Sequence, residues 1–184
     1  LLPVFFPPPD PNPAMAASSR GPAFLGAALA GDEAALQRLL AQERRPAQLL
    51  KAVGPQGCTA LHLAARAGQE GCLRRLVAAG AALDADGGGN TSDTPLISSC
   101  YAGQAGCARL LLEAGASVDQ CNEAGVTALW IACLVGYTDC ARLCLEAGAN
   151  VKAAVENGAT PLHIACHNGH TECARLCIEA GANM

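Results

Sequence analysis

Four segments of this chain repeat one pattern of residues at a nearly constant spacing. They start at Thr59, Thr94, Thr127 and Thr160, so the steps are 35, 33 and 33 residues, and the last copy reads TPLHIACHNGHTECARLCIEAGA. Repetition at such a period is typical of solenoids, in which each unit packs only against its neighbours. The spacing therefore predicts a stack of small units in place of a single globular core.

Each repeated segment carries the signals of two short helices. The threonine can cap the first helix through its hydroxyl, and proline or alanine follows as the first helical residue. A glycine ends this helix, and the second helix runs through an apolar stretch to the sequence AGA. Helices of about nine residues are marginal alone in water, so each one needs its neighbours for stability. The glycines that end the first helices are Gly68, Gly103, Gly136 and Gly169.

The Thr-Pro-Leu-His start, the central Gly-His and the closing Gly-Ala, at a period of 33 residues, resemble ankyrin repeats. Residues 22–42, PAFLGAALAGDEAALQRLLAQ, resemble a degenerate first copy, so the resemblance covers residues 20–184. It implies an all-α ankyrin-repeat solenoid of stacked helix-turn-helix units, with finger loops that project toward partners. It also implies a non-catalytic function in protein–protein interaction, as an adaptor or scaffold.

The repeats divide the chain into five units after an amino-terminal segment. Residues 1–19 are rich in proline and are predicted to be disordered. Met15 resembles a start, so residues 1–14 are expected to be upstream or added sequence. No polar capping repeat follows the last unit, which suggests a fragment of a longer protein. Extra residues in ERRPAQLLKAVGPQG and in DADGGGNTSD are predicted to enlarge two fingers. The units are 20–53, 54–84, 85–119, 120–151 and 152–184.

Charge and hydropathy narrow the class of partner. The net charge is −4, and the half of the chain after Gly80 is strongly acidic, so the composition gives no general attraction to nucleic acid or to an anionic membrane. No apolar run is long enough to span a bilayer, and LLPVFF lacks the features of a signal peptide. We expect a soluble, monomeric module of the cytoplasm or nucleus that binds a neutral or basic protein surface.

Most of the eleven cysteines recur at positions where other copies carry alanine or leucine. They are therefore predicted to pack as small core hydrophobes. Equivalent cysteines of adjacent repeats should lie ~8–10 Å apart, beyond the ~7 Å limit between Cα atoms for a disulfide, and an i, i+4 pair is also too far apart. The recurring sets are Cys100, Cys133 and Cys166; Cys72, Cys107, Cys140 and Cys173; and Cys144 and Cys177.

The chain offers little for metal binding or catalysis. No C-x₂-C pair occurs, and His163 and His170 of the cluster HIACHNGHTEC stand where ankyrin repeats have histidine, so we expect no metal and no cofactor. No catalytic or phosphate-binding motif appears, and we expect no enzyme activity. A cysteine-based redox or metal sensor is one alternative, with Cys58 and Cys121 as the candidate regulatory thiols.

The fourth unit departs most from the pattern. Trp130 stands where other copies have His62 and His163, and Leu134 and Val135 occupy positions that usually face the concave groove of an ankyrin stack and are usually polar. Trp130 either fills space between repeats or joins these residues in an apolar contact patch. A further alternative is the ankyrin segment of a larger enzyme, or a reader of methylated lysine. The predicted partner-binding residues are Tyr101, Trp130, Leu134, Val135, His167, Asn168, Glu123 and Asn157.

Overall fold

The computed structural model describes residues 20–43, 46–54, 57–87 and 92–182. The predicted tail, residues 1–19, and the glycine-rich tip at 88–91 lie outside the described residues. The described part contains eleven α-helices and no strand beyond an isolated bridge between Val53 and Thr59. They are α1 (Arg20–Ala30), α2 (Glu33–Gln42), α3 (Pro46–Leu50), α4 (Ala60–Ala67), α5 (Glu70–Ala78), α6 (Pro95–Tyr101), α7 (Ala105–Glu113), α8 (Ala128–Val135), α9 (Thr138–Glu146), α10 (Pro161–His167) and α11 (Thr171–Glu179).

The helices form two parallel ladders. One ladder contains the first helix of each unit (α1, α4, α6, α8 and α10), and the other contains the second helix (α2, α5, α7, α9 and α11). Helices of the first ladder pack more closely on one another than those of the second. We call these the inner and outer helices. The predicted all-α stack of helix pairs is confirmed.

The ends of the inner helices follow the predicted capping chemistry. The hydroxyl oxygens of Thr94 and Thr127 each accept a hydrogen bond at 3.2 Å from the backbone N–H three residues later. Pro95 and Pro161 occupy the first helical position, where no intrahelical donor is needed. A glycine in the left-handed region follows each inner helix, with φ between 71° and 87°. Each unit therefore starts and stops its inner helix with local sequence signals.

The turn glycines also carry a contact between repeats. The residue after the glycine in one repeat covers the glycine of the preceding repeat, so that a Cβ atom added there would lie 2.7 Å or less from the covering side chain. The covering pairs are Gln69 on Gly31, Gln104 on Gly68, Tyr137 on Gly103 and His170 on Gly136. Gly169 carries no such cover among the described residues. Glycine at the covered positions thus satisfies both a backbone angle and a close approach.

Cysteine forms much of the core, as predicted. Eight thiols are buried, with at most 1% of the residue exposed, beside alanine and leucine of the neighbouring helices. The prediction is wrong for Cys166, which is exposed because no unit among the described residues packs on that face of α10. Cys58 is half-buried and Cys121 is exposed. The buried thiols are Cys72, Cys100, Cys107, Cys133, Cys140, Cys144, Cys173 and Cys177.

The first insertion differs from the expected finger. Residues 46–50 form the short helix α3, which packs against α1 and α2 with Leu49 buried. An apolar side chain that can be buried against two helices is more stable there than on a projecting loop. After α3, the N–H of Gly54 donates a hydrogen bond to Cys58 O at 2.9 Å. No helix in the described ranges has the length and hydropathy to cross a bilayer.

Candidate functional site

One residue of each inner helix, two positions before the turn glycine, forms a row along the ladder of inner helices. We call Leu29, Arg66, Tyr101, Leu134 and His167 the inner row. Leu29 is 40% exposed and His167 is exposed, whereas the other three are half-buried. The sequence analysis missed Leu29; alignment of Gly31 with the other turn glycines would have found it. The row therefore contains two leucines, one tyrosine, one arginine and one histidine, with one side chain per repeat.

Leu134 and Val135 are both half-buried at the end of α8. Part of Leu134 packs against the core, so the side chain is neither free nor enclosed. Its carbonyl oxygen accepts a hydrogen bond from Asn168 Nδ2 at 2.9 Å and is 3.1 Å from His170 Nε2. Asn168, which the sequence assigns to partner binding, is thus exposed but also tied to the preceding repeat.

Trp130 links its repeat to the next one. Its indole Nε1 donates to Ala159 O at 3.0 Å, and its ring is half-buried against the core. The counterpart His62 lies 2.9 Å from Asp93 O through its Nε2 atom. Asp93 and Ala159 each directly precede the threonine that caps the next inner helix. Trp130 therefore makes the same cross-repeat bond as the histidine that it replaces, which supports the alternative that it fills space between repeats.

The tautomer of His62 follows from its partners. A carbonyl oxygen can only accept, so Nε2 is protonated and donates a hydrogen bond to the backbone oxygen of Asp93. Nδ1 therefore accepts a hydrogen bond from Thr59 Oγ1 at 2.8 Å. Burial lowers the pKa of His62, because the surroundings disfavour the charged imidazolium. Both ring nitrogens are occupied by structural hydrogen bonds. His62 thus stabilises the junction between two repeats in its neutral form.

Glu123 and Asn157, two of the predicted partner-binding residues, lie at finger tips and are exposed. Glu123 Oε1 accepts a hydrogen bond from Ser92 Oγ at 2.8 Å, which connects the fingers of repeats three and four. Asn157 Oδ1 accepts from Ala159 N at 3.0 Å and so shapes its own turn. Neighbouring fingers are also held together at their bases, since Asp84 accepts from Ser117 N at 2.9 Å. The first and last of these bonds therefore connect neighbouring fingers to one another.

A shallow acidic cleft separates the fingers of repeats three and four. Its volume is about 240 Å³, and its walls include three carboxylates and no basic residue. Such a cleft attracts a cationic side chain by electrostatics. The lining residues are Asp84, Asp86, Ser92, Thr94, Gln120, Cys121, Asn122 and Glu123.

The buried thiols meet in pairs that the sequence analysis did not consider. Cys100 Sγ is 3.9 Å from Cys144 Sγ, and Cys133 Sγ is 3.7 Å from Cys177 Sγ. Each pair joins an inner helix to the outer helix of the next repeat, whereas the sequence argument compared equivalent positions of adjacent repeats and an i, i+4 pair within one helix. Burial raises the pKa of Cys107, outside these pairs, to about 11. Within the described ranges, no group of three or more His, Cys, Asp or Glu residues is arranged to hold a metal ion.

The comparison with protein families gives one match. A family model described as "Ankyrin repeats (3 copies)" matches residues 24–122 and 115–184. The matched ranges include the degenerate first unit as well as the four regular ones. No curated protein matches the chain significantly.

Proposed function

The chain belongs to the ankyrin repeat family, and from that membership we propose that it is a non-catalytic module that binds a protein partner on its inner row and fingers. Ankyrin repeats generally bind other proteins and are usually non-catalytic. The proposed binding surface contains the eight residues predicted from the sequence together with Leu29. A role as an adaptor or scaffold follows if the chain holds its partner near another protein.

One observation carries the proposal: apolar and aromatic side chains of the inner row are partly exposed to solvent on a support of packed helices. Leu29, Tyr101 and Leu134 occupy positions where the same stack accommodates Arg66 and His167. The fold therefore does not need apolar residues at these places. Partly exposed apolar and aromatic side chains in a row are typical of protein contact sites. Because the helices are fixed by their neighbours, little entropy is lost when a partner docks.

The fingers support a neutral or basic partner surface. The cleft beside Glu123 presents three carboxylates, and the chain after Gly80 is acidic overall. A lysine or arginine of the partner can place its charge there while its apolar residues contact Leu134 and Val135. Such electrostatic contacts increase the association rate and weaken as salt is added. We accordingly propose no nucleic acid, membrane or cofactor as a partner, and a monomer of the cytoplasm or nucleus.

The alternatives from the sequence have less support in the geometry. Tyr101 is the last residue of α6, whereas Trp130 is the third residue of α8 and donates its N–H to Ala159. A cage for methylated lysine needs aromatic faces around one point, and Trp130 already serves the junction between repeats. The hypothesis of a segment of a larger enzyme stays open. The thiol chemistry is treated separately below.

A pair of substitutions copied from within the chain tests the binding surface. Leu134→Arg with Val135→Ala reproduces Arg66 and Ala67, which the stack already accommodates at the same positions. A photo-crosslinking amino acid in place of Asn168 should capture partner proteins in cells, and the double substitution should reduce that capture about tenfold, equivalent to about 1.4 kcal/mol. The unfolding free energy should change by less than about 1 kcal/mol.

A matched control uses the opposite side of the stack. Arg142 is exposed on the outer helix α9, so the same crosslinker at this position should capture none of the proteins found at residue 168. Arg142→Ala should likewise leave capture unchanged. Equal capture from both faces, or full capture by the double variant, would show that the inner row is not the binding site.

A further inference from the structure

Two pairs of cysteine thiols meet across repeat interfaces at the same place in successive repeats. The Sγ atoms are 3.7 Å apart in Cys133–Cys177 and 3.9 Å apart in Cys100–Cys144. From these contacts we infer that each pair is a site of reversible disulfide formation, which bonds the inner helix of one repeat to the outer helix of the next. This inference does not depend on the proposed function, since it concerns the stack itself.

The preceding interface shows that packing alone does not require these thiols. At the positions of Cys100 and Cys144, the copies one repeat earlier have Ala65 and Leu111, and both are fully buried. An alanine on the inner helix and a leucine on the next outer helix therefore fill the same space. In the two later interfaces both members of the pair are cysteine. Both positions thus change to cysteine together, and the two thiols are in contact. A disulfide needs this arrangement.

The geometry is close to that of a bond. A disulfide has its sulfurs about 2.05 Å apart, so each pair has to close by less than about 2 Å. The sulfurs already lie at van der Waals contact, and α8 contacts α11 directly. Rotation of the side chains with a slight approach of the two helices brings them together. The i, i+4 pair Cys140 and Cys144 lies along one helix and lacks this freedom.

Hydrogen bonding within the thiol cluster favours reaction at the outer helix. Hydrogen bonding with Cys133 lowers the pKa of both Cys173 and Cys177 and brings that of Cys173 to about 6. The same interactions raise the pKa of Cys133 well above its usual range. Thiolates, not thiols, attack oxidants. In the Cys133–Cys177 pair we therefore assign the attack on the oxidant to Cys177, whose pKa is lowered, and the closing step to Cys133.

Hydrogen peroxide is the oxidant that balances the reaction. The Cys177 thiolate attacks one peroxide oxygen, the O–O bond breaks, and the released hydroxide takes up a proton to become water. Cys133 then attacks the sulfur of the resulting sulfenic acid and gives up its proton, so that the S–S bond forms, the S–O bond breaks, and the departing hydroxide takes that proton and leaves as a second water. In total the two thiols lose two electrons and two protons, and the peroxide is reduced to two water molecules.

Access to the thiols sets the order of the two reactions. All four are buried, with at most 1% exposure, so peroxide reaches them only when neighbouring repeats separate locally. Among the described residues, repeat five packs on repeat four alone, whereas repeat four packs on both sides. Opening is cheaper where fewer contacts are broken. The Cys133–Cys177 bond should therefore form before the Cys100–Cys144 bond.

Oxidation of the purified chain tests the inference directly. The protein is treated with hydrogen peroxide, alkylated without reduction and digested, and disulfide-linked peptides are identified by mass spectrometry. We expect the Cys133–Cys177 link first and the Cys100–Cys144 link later. The unfolding temperature should rise by about 5–10 °C, because each bond closes a long loop, and dithiothreitol should reverse the rise.

Matched variants come from the chain itself. Cys133→Ala copies Ala65 and Cys177→Leu copies Leu111, so both residues fit the fold, and each should abolish the first link and its thermal shift. Cys121→Ser removes an exposed thiol and should change neither. If a variant fails to fold, the reversible rise in the unfolding temperature of the unsubstituted chain, together with its linked peptides, still tests the inference. Oxidation confined to Cys58, Cys121 and Cys166, or links that appear only in denaturant, would overturn the inference.

Discussion

The junction between repeats two and three and the junction between repeats four and five use the same three contacts with different chemistry. In the first, His62 bonds Asp93 O and Gln104 covers Gly68, and the thiol positions hold Ala65 and Leu111. In the second, Trp130 bonds Ala159 O, His170 covers Gly136, and the same two positions hold Cys133 and Cys177.

The difference shows what the stack fixes and what it leaves free. Each junction needs a donor to the carbonyl before the next capping threonine, a cover over the turn glycine, and a filled space between inner and outer helices. The backbone meets these needs at a constant period, so several side chains can satisfy each of them. The later junction satisfies the same three needs with Trp130, which also offers aromatic surface, and with Cys133 and Cys177, which can also undergo redox chemistry. Substitutions that exchange chemistry between the junctions test how far this equivalence extends.

Removal of the Trp130 side chain should have the largest effect. Trp130→Ala deletes both the bond to Ala159 O and the ring packed on the core, so we expect a loss of about 3 kcal/mol of unfolding free energy. Trp130→His restores the donor that His62 uses and should lose only about 1 kcal/mol. Urea unfolding followed by far-UV circular dichroism measures both, since fluorescence from the only tryptophan is lost. Equal losses for the two variants would show that the shared hydrogen bond contributes nothing.

The turn glycines should give an intermediate effect. Gly103→Ala introduces a Cβ atom 2.7 Å from the Tyr137 ring in addition to left-handed strain, for a cost of about 2 kcal/mol. Gly169 has the same backbone angle but no covering side chain, so Gly169→Ala should cost only about 1 kcal/mol. The difference in unfolding free energy between the two variants isolates the contact between repeats. If Gly169→Ala costs as much as Gly103→Ala, the cover is irrelevant and only the backbone angle matters.

The repeat period made most of the fold predictable from the sequence. Helix pairs, threonine caps and turn glycines are local signals that recur in register, and eight buried cysteines follow from the same alignment. Two predictions failed where a neighbour, not the local sequence, decides burial. Cys166 has the pattern of a core residue but lacks a covering repeat among the described residues. The segment containing Leu49 was expected to project, but it packs against α1 and α2 with Leu49 buried.

The candidate site was less predictable, because its contacts join residues that stand at different positions within their repeats. Trp130 meets Ala159, and Cys133 meets Cys177, each across one repeat and at a different position within the unit. Alignment within the chain compares equal positions and so cannot show these pairs. The same limit explains why Leu134 was assigned to the surface alone, although part of it also packs on the core.

The smallest predicted effect is on the pH dependence of the unfolding free energy. Of the two junctions compared, only the earlier one uses a titrating side chain as the donor to the carbonyl before the capping threonine. Burial lowers the pKa of His62 in the folded state, while the unfolded chain keeps an ordinary value of about 6.5. The unfolded state therefore binds a proton first as the pH falls. The stability from neutral His62 is present above about pH 6.5 and is lost as the pH falls through the folded pKa.

His62→Gln keeps a donor for Asp93 O but cannot titrate, so it sharpens the comparison with Trp130. We expect the unfolding free energy of the unsubstituted chain to fall more steeply between pH 7 and pH 5 than that of the variant. Urea unfolding at matched ionic strength measures both slopes. Trp130→His is the converse experiment, because it introduces a titrating group at the later junction and should steepen the acid dependence if the new imidazole is buried in its neutral form. Identical slopes for all three proteins would mean that the imidazole of His62 is as easily protonated in the folded chain as in the unfolded one, so that burial at this junction would not lower its pKa.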